Sequence, residues 1–187
     1  MMKPEIYFSV DIEASGPIPG EYSMLSFGAC LVQRPTSTFQ RRVRPISDKF
    51  VPEALEVVGT TLEEATQVGM EPKQAMRDFA DWIGVNAGDH LPVFVGFNAS
   101  FDWSFINWYF HRYLGRNPFG IGAIDIKAFY MGLSGCAWQE TTSRQLPPQF
   151  QPSVPQTHDA LQDALAQADI FKKLLSVTRK AGLFLPQ

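Results

Sequence analysis

The chain has 187 residues and a formal charge of −3 at pH 7; 45% of its residues are hydrophobic and 19% are charged. This composition excludes a disordered chain and a coiled coil, and the length predicts a single domain over residues 1–187. Its two cysteines are too few for a disulfide framework or a zinc site, so we expect free thiols in a reducing compartment. No apolar run reaches the ~20 residues of a membrane span, and Ile6 to Val10 is too short for a signal peptide. We therefore expect a cytoplasmic protein without a membrane partner.

The first part of the chain predicts three strands with short connections. Alternating apolar and polar residues predict a strand over Ile6–Glu13, with Asp11 and Glu13 together on its polar face. Leu25–Val32 is apolar and predicts a second strand, whereas Thr38–Arg44 is polar enough to predict an edge strand. The short connections favour an antiparallel meander.

Strand and helix signals alternate in the rest of the chain. Residues 134–157 are rich in Ser, Thr, Gln and Pro and predict a long surface loop. We expect two further strands, over Leu91–Gly96 and Ile121–Ile126. A helix is predicted over Pro52–Val58, and further helices are predicted to begin at Thr60 or Thr61, at Pro72, at about Asn98 and at Lys127. The last helix is predicted to extend from about Asp159 to Ala181, and Gly182 to end it. The element order predicts an α/β fold: a mixed sheet of three antiparallel strands and two further strands, flanked by helices.

Asp11 and Glu13 are the first candidates for chemistry. Being two residues apart on a strand, they project side by side, and like charges so close repel unless one is protonated or a cation lies between them. An oxygen-preferring ion such as Mg²⁺ or Mn²⁺ resolves the repulsion. For this short pattern alone, a solvated pair at the end of a strand is the simpler interpretation.

Three further residues could complete such a site. Asp102 follows an apolar strand, where open α/β sheets place ligand sites, although an acidic residue in the first turn of a helix also suits the helix dipole. Asp159 could cap the last helix, with His158 in the preceding loop and Asp163 at the margin of the buried face. A carboxylate at that margin needs a partner, and a metal would serve. A capping aspartate with an exposed histidine explains the same segment.

Together these residues resemble the motifs of the DEDDh branch of the 3′–5′ exonuclease superfamily, which includes proofreading subunits, ribonuclease T and oligoribonuclease. The first motif resembles Asp11-Ile12-Glu13-Ala14-Ser15-Gly16, the second resembles Asn98 to Asp102, and the third resembles His158 with Asp163 five positions later. The motifs occur in the order found in the family, and the resemblance extends from about Ile6 to Leu175.

The resemblance implies an RNase H-like fold and a metal-dependent 3′–5′ exonuclease that acts on single-stranded DNA or short RNA and releases nucleoside 5′-monophosphates. It implies that His158 is the general base toward the attacking water. It also implies a two-metal mechanism with two Mg²⁺ or Mn²⁺ ions held by Asp11, Glu13, Asp102 and Asp163. Some members of the family are homodimers, so the resemblance is compatible with a homodimer of this chain.

The resemblance further implies contacts with the substrate. Family members seat the terminal nucleotide against residues that follow the first motif, which here are Ala14, Ser15 and Gly16. Asn98 is expected to position Asp102 or the nearby backbone. Phe101 or Trp103, which flank Asp102, could stack on or wedge against a base, although packing in the core explains them at least as well.

The basic residues and the net charge leave the partner less defined. Arg41, Arg42 and Arg44 could steer a phosphate backbone or protect an edge strand from aggregation. Because four of the 19 acidic residues would belong to one metal site, the acidity is weak evidence against a nucleic-acid partner.

Two alternative functions are compatible with the sequence. One is a catalytically silent nucleic-acid-binding module of the same fold, and the other is a phosphodiesterase for small nucleotides.

Overall fold

The computed structural model describes residues 3–154 and 157–180. Its centre is a five-stranded sheet made of β1 (Glu5–Ala14), β2 (Met24–Leu31), β3 (Thr38–Arg42), β4 (Leu91–Gly96) and β5 (Ala123–Asp125). The strands lie in the order β3-β2-β1-β4-β5. β1 and β3 are antiparallel to β2, whereas β4 is parallel to both β1 and β5. The predicted mixed sheet is confirmed, with β3 at one edge.

Within the described residues six α-helices accompany the sheet: α1 (Pro52–Val58), α2 (Leu62–Val68), α3 (Pro72–Ala87), α4 (Ser100–Leu114), α5 (Ile126–Ser134) and α6 (Ala160–Lys180). Local signals set their ends. Gly59 ends α1 in the left-handed region at φ 68°. Thr61 and Glu64 form the predicted capping box at the start of α2. Gly182, predicted to end the last helix, lies outside the described residues. None of the described helices is both long enough and apolar enough to span a membrane.

Helices cover both faces of the sheet, so the central strands are buried on both sides. On one face, Phe8 and Phe27 lie in a cluster with Phe79 of α3 and Phe110 of α4. On the other face, Cys30, Val95 and Ile126 pack against Phe171 and Leu174 of α6. The alternation of β1 therefore directs its even-numbered residues toward α3 and α4, and its odd-numbered residues toward α6.

The fifth strand is shorter than the sequence predicts. Ile121 is 97% exposed and precedes the strand, which begins only at Ala123. At the other end, Asp125 accepts a hydrogen bond from the Ala128 N–H at 2.8 Å and caps α5, so the chain turns into a helix at once. The apolar residues from Ile121 to Ile126 therefore predicted a longer strand than the structure shows, because the first of them are exposed and the last begins α5.

The described part of the predicted loop at 134–157 contains three short 3₁₀ helices, Trp138–Thr141, Ser143–Gln145 and Pro148–Phe150. Leu146 is buried beside Tyr130 of α5 and the last helix. Lys173 of α6 donates hydrogen bonds to the Gln151 carbonyl at 2.6 Å and to Asp169 at 2.9 Å. The described part of this segment is thus attached to α5 and to the middle of α6, around Asp169 and Lys173.

Candidate active site

Two elements bring three carboxylates together at the end of β1. Asp11 and Glu13 project from β1 toward α6, and Asp102 comes from the first turn of α4. The Asp102 Oδ1 accepts a hydrogen bond from the Ile12 N–H at 3.0 Å. Because Ile12 lies between the two β1 carboxylates, this bond fixes Asp102 beside them. Asp102 is only 4% exposed.

The fourth carboxylate, Asp163, holds the loop that carries His158. Its Oδ1 accepts a hydrogen bond from the Thr157 N–H at 2.8 Å, and its Oδ2 accepts one from the His158 N–H at 3.1 Å. His158 has a left-handed backbone (φ 58°), and its side chain is exposed. Asp163 therefore both fixes the backbone of the loop before α6 and belongs to the acidic cluster.

These elements converge on a set of atoms that could hold a metal ion. One ligand atom from each of Glu13, His158 and Asp163 lies within 4.8 Å of the others. Carboxylate oxygens are the ligands that Mg²⁺ and Mn²⁺ prefer. All five residues predicted as catalytic lie in this region of the fold, and their roles stay predictions.

The electrostatics of the cluster favour a cation. The pKa of Asp11 is raised well above its usual value, first by burial and then by Asp102, Glu13 and Asp163. Burial, followed by Asp163 and Asp102, raises the pKa of Glu13 to about 8. Burial also raises the pKa of Asp102 to about 7, against the opposing hydrogen bond from Ile12. Burial and mutual repulsion thus both disfavour the charged form of these carboxylates, and a divalent ion beside them would offset their negative charge and favour the ionised form. The donor set fits the predicted metals.

Two nearby aspartates have structural roles. Asp159 Oδ1 accepts hydrogen bonds from the N–H groups of Leu161 at 3.1 Å and Gln162 at 3.0 Å, so it caps α6 as predicted. Besides capping α5, Asp125 accepts a hydrogen bond from the Ala99 N–H at 2.6 Å. Asp125 thereby fixes the turn between β4 and α4.

The segment after the first motif is built into the protein. The Ser15 hydroxyl donates to the Lys49 carbonyl at 3.0 Å and accepts from the Ser23 N–H at 2.9 Å. Gly16 lies against Tyr22, since a Cβ there would be 2.3 Å from its ring. Ala14 is 6% exposed. The side chains of this segment thus support a turn, and the seating of the terminal nucleotide by Ala14, Ser15 and Gly16 stays a prediction.

The second motif begins at an unusual backbone position. Asn98 is exposed and has φ 64°, a left-handed conformation that asparagine tolerates better than most residues. Phe101 is half-buried and packs on Phe105, with ring centroids 5.3 Å apart. Packing against Phe105 therefore explains the buried part of the Phe101 ring. That Asn98 or Phe101 contacts the substrate stays a prediction.

A groove of about 350 Å³ lies beside His158. It is lined by Gln40 and Arg42 of β3, by the turn at residues 58–60, and by His158. The sequence did not indicate that this turn reaches the site. The structure also separates the three arginines: Arg41 pairs with Asp78 at 3.2 Å and Arg44 pairs with Glu71, whereas Arg42 forms no ion pair within the described parts of the chain.

Gln167 is a polar residue of this region that the sequence did not indicate. Its Nε2 donates to the Asp11 Oδ1 at 2.5 Å, and its Oε1 accepts from the Phe97 N–H at 2.9 Å. The available signal was a glutamine four residues after Asp163, on the same face of a helix and surrounded by Ala and Leu.

Solved structures share this fold. A 3′-exonuclease studied for 3′-end-specific recognition of a histone mRNA stem-loop aligns with a TM-score of 0.74 at 17% identity, over 94% of this chain and 65% of that chain. Escherichia coli Exonuclease I in complex with a dT13 oligonucleotide aligns with a TM-score of 0.70 at 17% identity, over 95% of this chain and 42% of that one. This chain therefore spans less than two thirds of either protein. At such identities the likeness concerns the fold, and it confirms the predicted RNase H-like architecture.

Sequence comparisons reach further than the fold. The 3′-5′ DNA exonuclease Cap18 of Escherichia coli is 50% identical over 180 residues, which are 96% of this chain and 96% of that protein. The exonuclease family model of the ribonuclease T type matches residues 8–171. That range includes all the motifs on which the resemblance rests, from Asp11 to Asp163. The chain therefore belongs to this exonuclease family.

Proposed function

We propose that this protein is a metal-dependent 3′–5′ exonuclease that removes nucleotides from the 3′ end of single-stranded DNA. The observation that carries the proposal is that ligand atoms of Glu13, Asp163 and His158 lie together, with Asp11 and Asp102 beside them, while His158 also lines a groove. The preference for DNA is supported by the 50% identity with a 3′-5′ DNA exonuclease over nearly the full length of both chains.

In this proposal the chain supplies both the metal ligands and the base. Asp11, Glu13, Asp102 and Asp163 would hold two Mg²⁺ or Mn²⁺ ions. When bound, such ions promote ionisation of a water and stabilise the charge that develops on the phosphate. His158 takes the proton of the water that attacks the 3′-terminal phosphorus, while the bond to the 3′-oxygen of the preceding nucleotide breaks and that oxygen gains a proton from solvent. The product is a nucleoside 5′-monophosphate.

The position of His158 suits a base. Its imidazole is exposed at the groove, whereas its backbone N–H donates a hydrogen bond to Asp163. The residue can therefore exchange protons with solvent after each turnover while its backbone stays attached to the acidic cluster.

The test is a panel of substrates with a 5′ label, incubated with Mg²⁺ or Mn²⁺. We expect stepwise shortening of single-stranded DNA from the 3′ end, release of 5′-monophosphates, and slower shortening of RNA of the same sequence. Binding of DNA without release would favour the catalytically silent module. Activity confined to cyclic nucleotides or dinucleotides would favour the small-nucleotide phosphodiesterase, and faster cleavage of RNA would overturn the preference for DNA.

We further propose that Arg42 binds a phosphate of the substrate, because its side chain lines the groove without a partner among the described acidic residues. Arg42→Ala should raise KM roughly 5–10-fold with little change in kcat, since each phosphate contact adds to the electrostatic part of binding. The dependence of log KM on log salt should fall by about 0.7, as expected for one lost contact with a single strand.

Arg77→Ala is the matched control for this prediction. Arg77 is exposed on α3, on the opposite face of the sheet from α6. An Arg42→Ala variant that keeps both the KM and the salt dependence of the Arg77→Ala variant would exclude Arg42 from substrate binding.

A cytoplasmic location also belongs to this proposal, supported by two free thiols, Cys30 and Cys136. The homodimer that the resemblance allows stays a prediction.

A further inference from the structure

Gln167 joins two of the segments that carry the proposed metal ligands. Its side chain, 2% exposed, reaches from α6 across to β1, where it donates to the Asp11 Oδ1 at 2.5 Å. The same amide accepts a hydrogen bond from the Phe97 N–H at 2.9 Å, just beyond the end of β4. From Phe97 the chain continues through Asn98 and Ala99 into α4 and Asp102.

The two partners define the orientation of the amide. A carboxylate oxygen requires a donor, and a backbone N–H requires an acceptor. Exchanging the nitrogen and oxygen of the Gln167 amide would place oxygen against oxygen at Asp11, and N–H against N–H at Phe97. Only one arrangement satisfies both contacts, so the amide is held in place from two sides.

The bond to Gln167 also distinguishes the two oxygens of Asp11. Oδ1 is engaged by the amide, whereas Oδ2 accepts no hydrogen bond in the described parts of the chain. Three neighbouring carboxylates repel the ionised form of Asp11. The hydrogen bond from the Gln167 amide opposes that repulsion without adding charge.

We propose that Gln167 is a positioning residue, which holds the Asp11 carboxylate in one orientation toward a bound metal ion and ties it to the end of β4. This inference rests on the proposed metal-dependent function. Because Asp163 and Gln167 are four residues apart on α6, the same helix face supplies one ligand and the group that orients another. Groups that orient metal ligands in this way typically contribute 10–100-fold to metal affinity or activity.

The test is Gln167→Met, which nearly preserves the volume of the side chain but removes both the donor and the acceptor. The readout is Mn²⁺ binding by isothermal titration calorimetry in the absence of nucleic acid, together with kcat as a function of Mn²⁺ concentration and the melting temperature. Direct binding keeps the test independent of the exonuclease proposal, since wild-type protein can bind Mn²⁺ whether or not it cleaves DNA. Gln162→Met is the matched control, because Gln162 is exposed on the same helix.

We expect a folded variant with a Kd for Mn²⁺ raised about 10–100-fold, and with much of its lost rate restored at high Mn²⁺. A purely structural role would lower the melting temperature and leave the Kd within twofold of the Gln162→Met control, which would overturn the proposal. If Gln167→Met does not fold, a crystal structure of the wild-type protein with Mn²⁺ decides. Gln167 bonded to Asp11 beside the ion supports the proposal, and Gln167 turned away from Asp11 refutes it.

Discussion

Asp102→Asn is expected to reduce the release of mononucleotides by ~10³-fold or more at saturating Mg²⁺, because a metal ligand contributes to several kcal/mol of transition-state stabilisation and each 1.36 kcal/mol is a factor of ten. The fold should persist. Asparagine keeps an oxygen that can accept the hydrogen bond from the Ile12 N–H, now 3.0 Å from Asp102 Oδ1. The measurement is the rate at which 5′-labelled single-stranded DNA shortens from its 3′ end.

Asp81→Asn, an exposed position on α3, is the matched control and should cleave at the wild-type rate. If the Asp102→Asn variant cleaves as fast as this control, Asp102 takes no part in the reaction and the proposed site is wrong.

The same substitution should stabilise the metal-free protein, and only toward higher pH. Burial raises the pKa of Asp102 from 3.8 to about 7, so the folded state retains a proton that the unfolded chain releases. The stability that this proton contributes is lost as the pH rises from 3.8 to about 7. Asparagine carries no charge at any pH. The melting temperature of the variant in chelator should therefore exceed that of the wild type at pH 8, with a much smaller difference at pH 4.5. Equal differences at the two pH values would contradict this cause.

His158→Asn is expected to lower kcat ~10²–10⁴-fold, which is the usual contribution of a general base. Asparagine is preferred to alanine here because His158 has φ 58°, a backbone region that asparagine adopts at smaller cost. The substitution also keeps the backbone N–H that donates a hydrogen bond to Asp163. The measurements are single-turnover cleavage and Mn²⁺ binding by calorimetry, with the exposed His111→Asn as control.

Metal binding separates the two roles available to His158. One of its ring nitrogens belongs to the group of ligand atoms, shared with Glu13 and Asp163, that lie within 4.8 Å of one another. A general base that does not coordinate the metal leaves the Kd for Mn²⁺ close to that of the control. A Kd raised tenfold or more would make His158 a ligand and would leave the base unassigned.

Much of the fold could be predicted because its signals are local. The capping box of Thr61 and Glu64 and the glycine at position 59 depend on contacts within a few residues. The alternation along β1 likewise places Asp11 and Glu13 on one face without reference to the rest of the chain. Local signals were weakest at β5, where Asp125 caps the following helix and Ile121, predicted to begin the strand, is exposed.

The acidic motifs were also local in sequence, and their spacing together with the family resemblance predicted Asp11, Glu13, Asp102, His158 and Asp163. Only the tertiary structure decided how these residues are supported. The bond between Gln167 and Asp11 joins residues 156 positions apart, and the bond between Asp102 and Ile12 joins residues 90 positions apart. Likewise, Arg41, Arg42 and Arg44 looked alike in sequence, and packing gave two of them acidic partners while Arg42 came to line the groove. The physical reason is common to these cases. Periodicity determines which face of an element a side chain occupies, whereas its hydrogen-bond partner depends on how elements pack against each other, which no local pattern encodes.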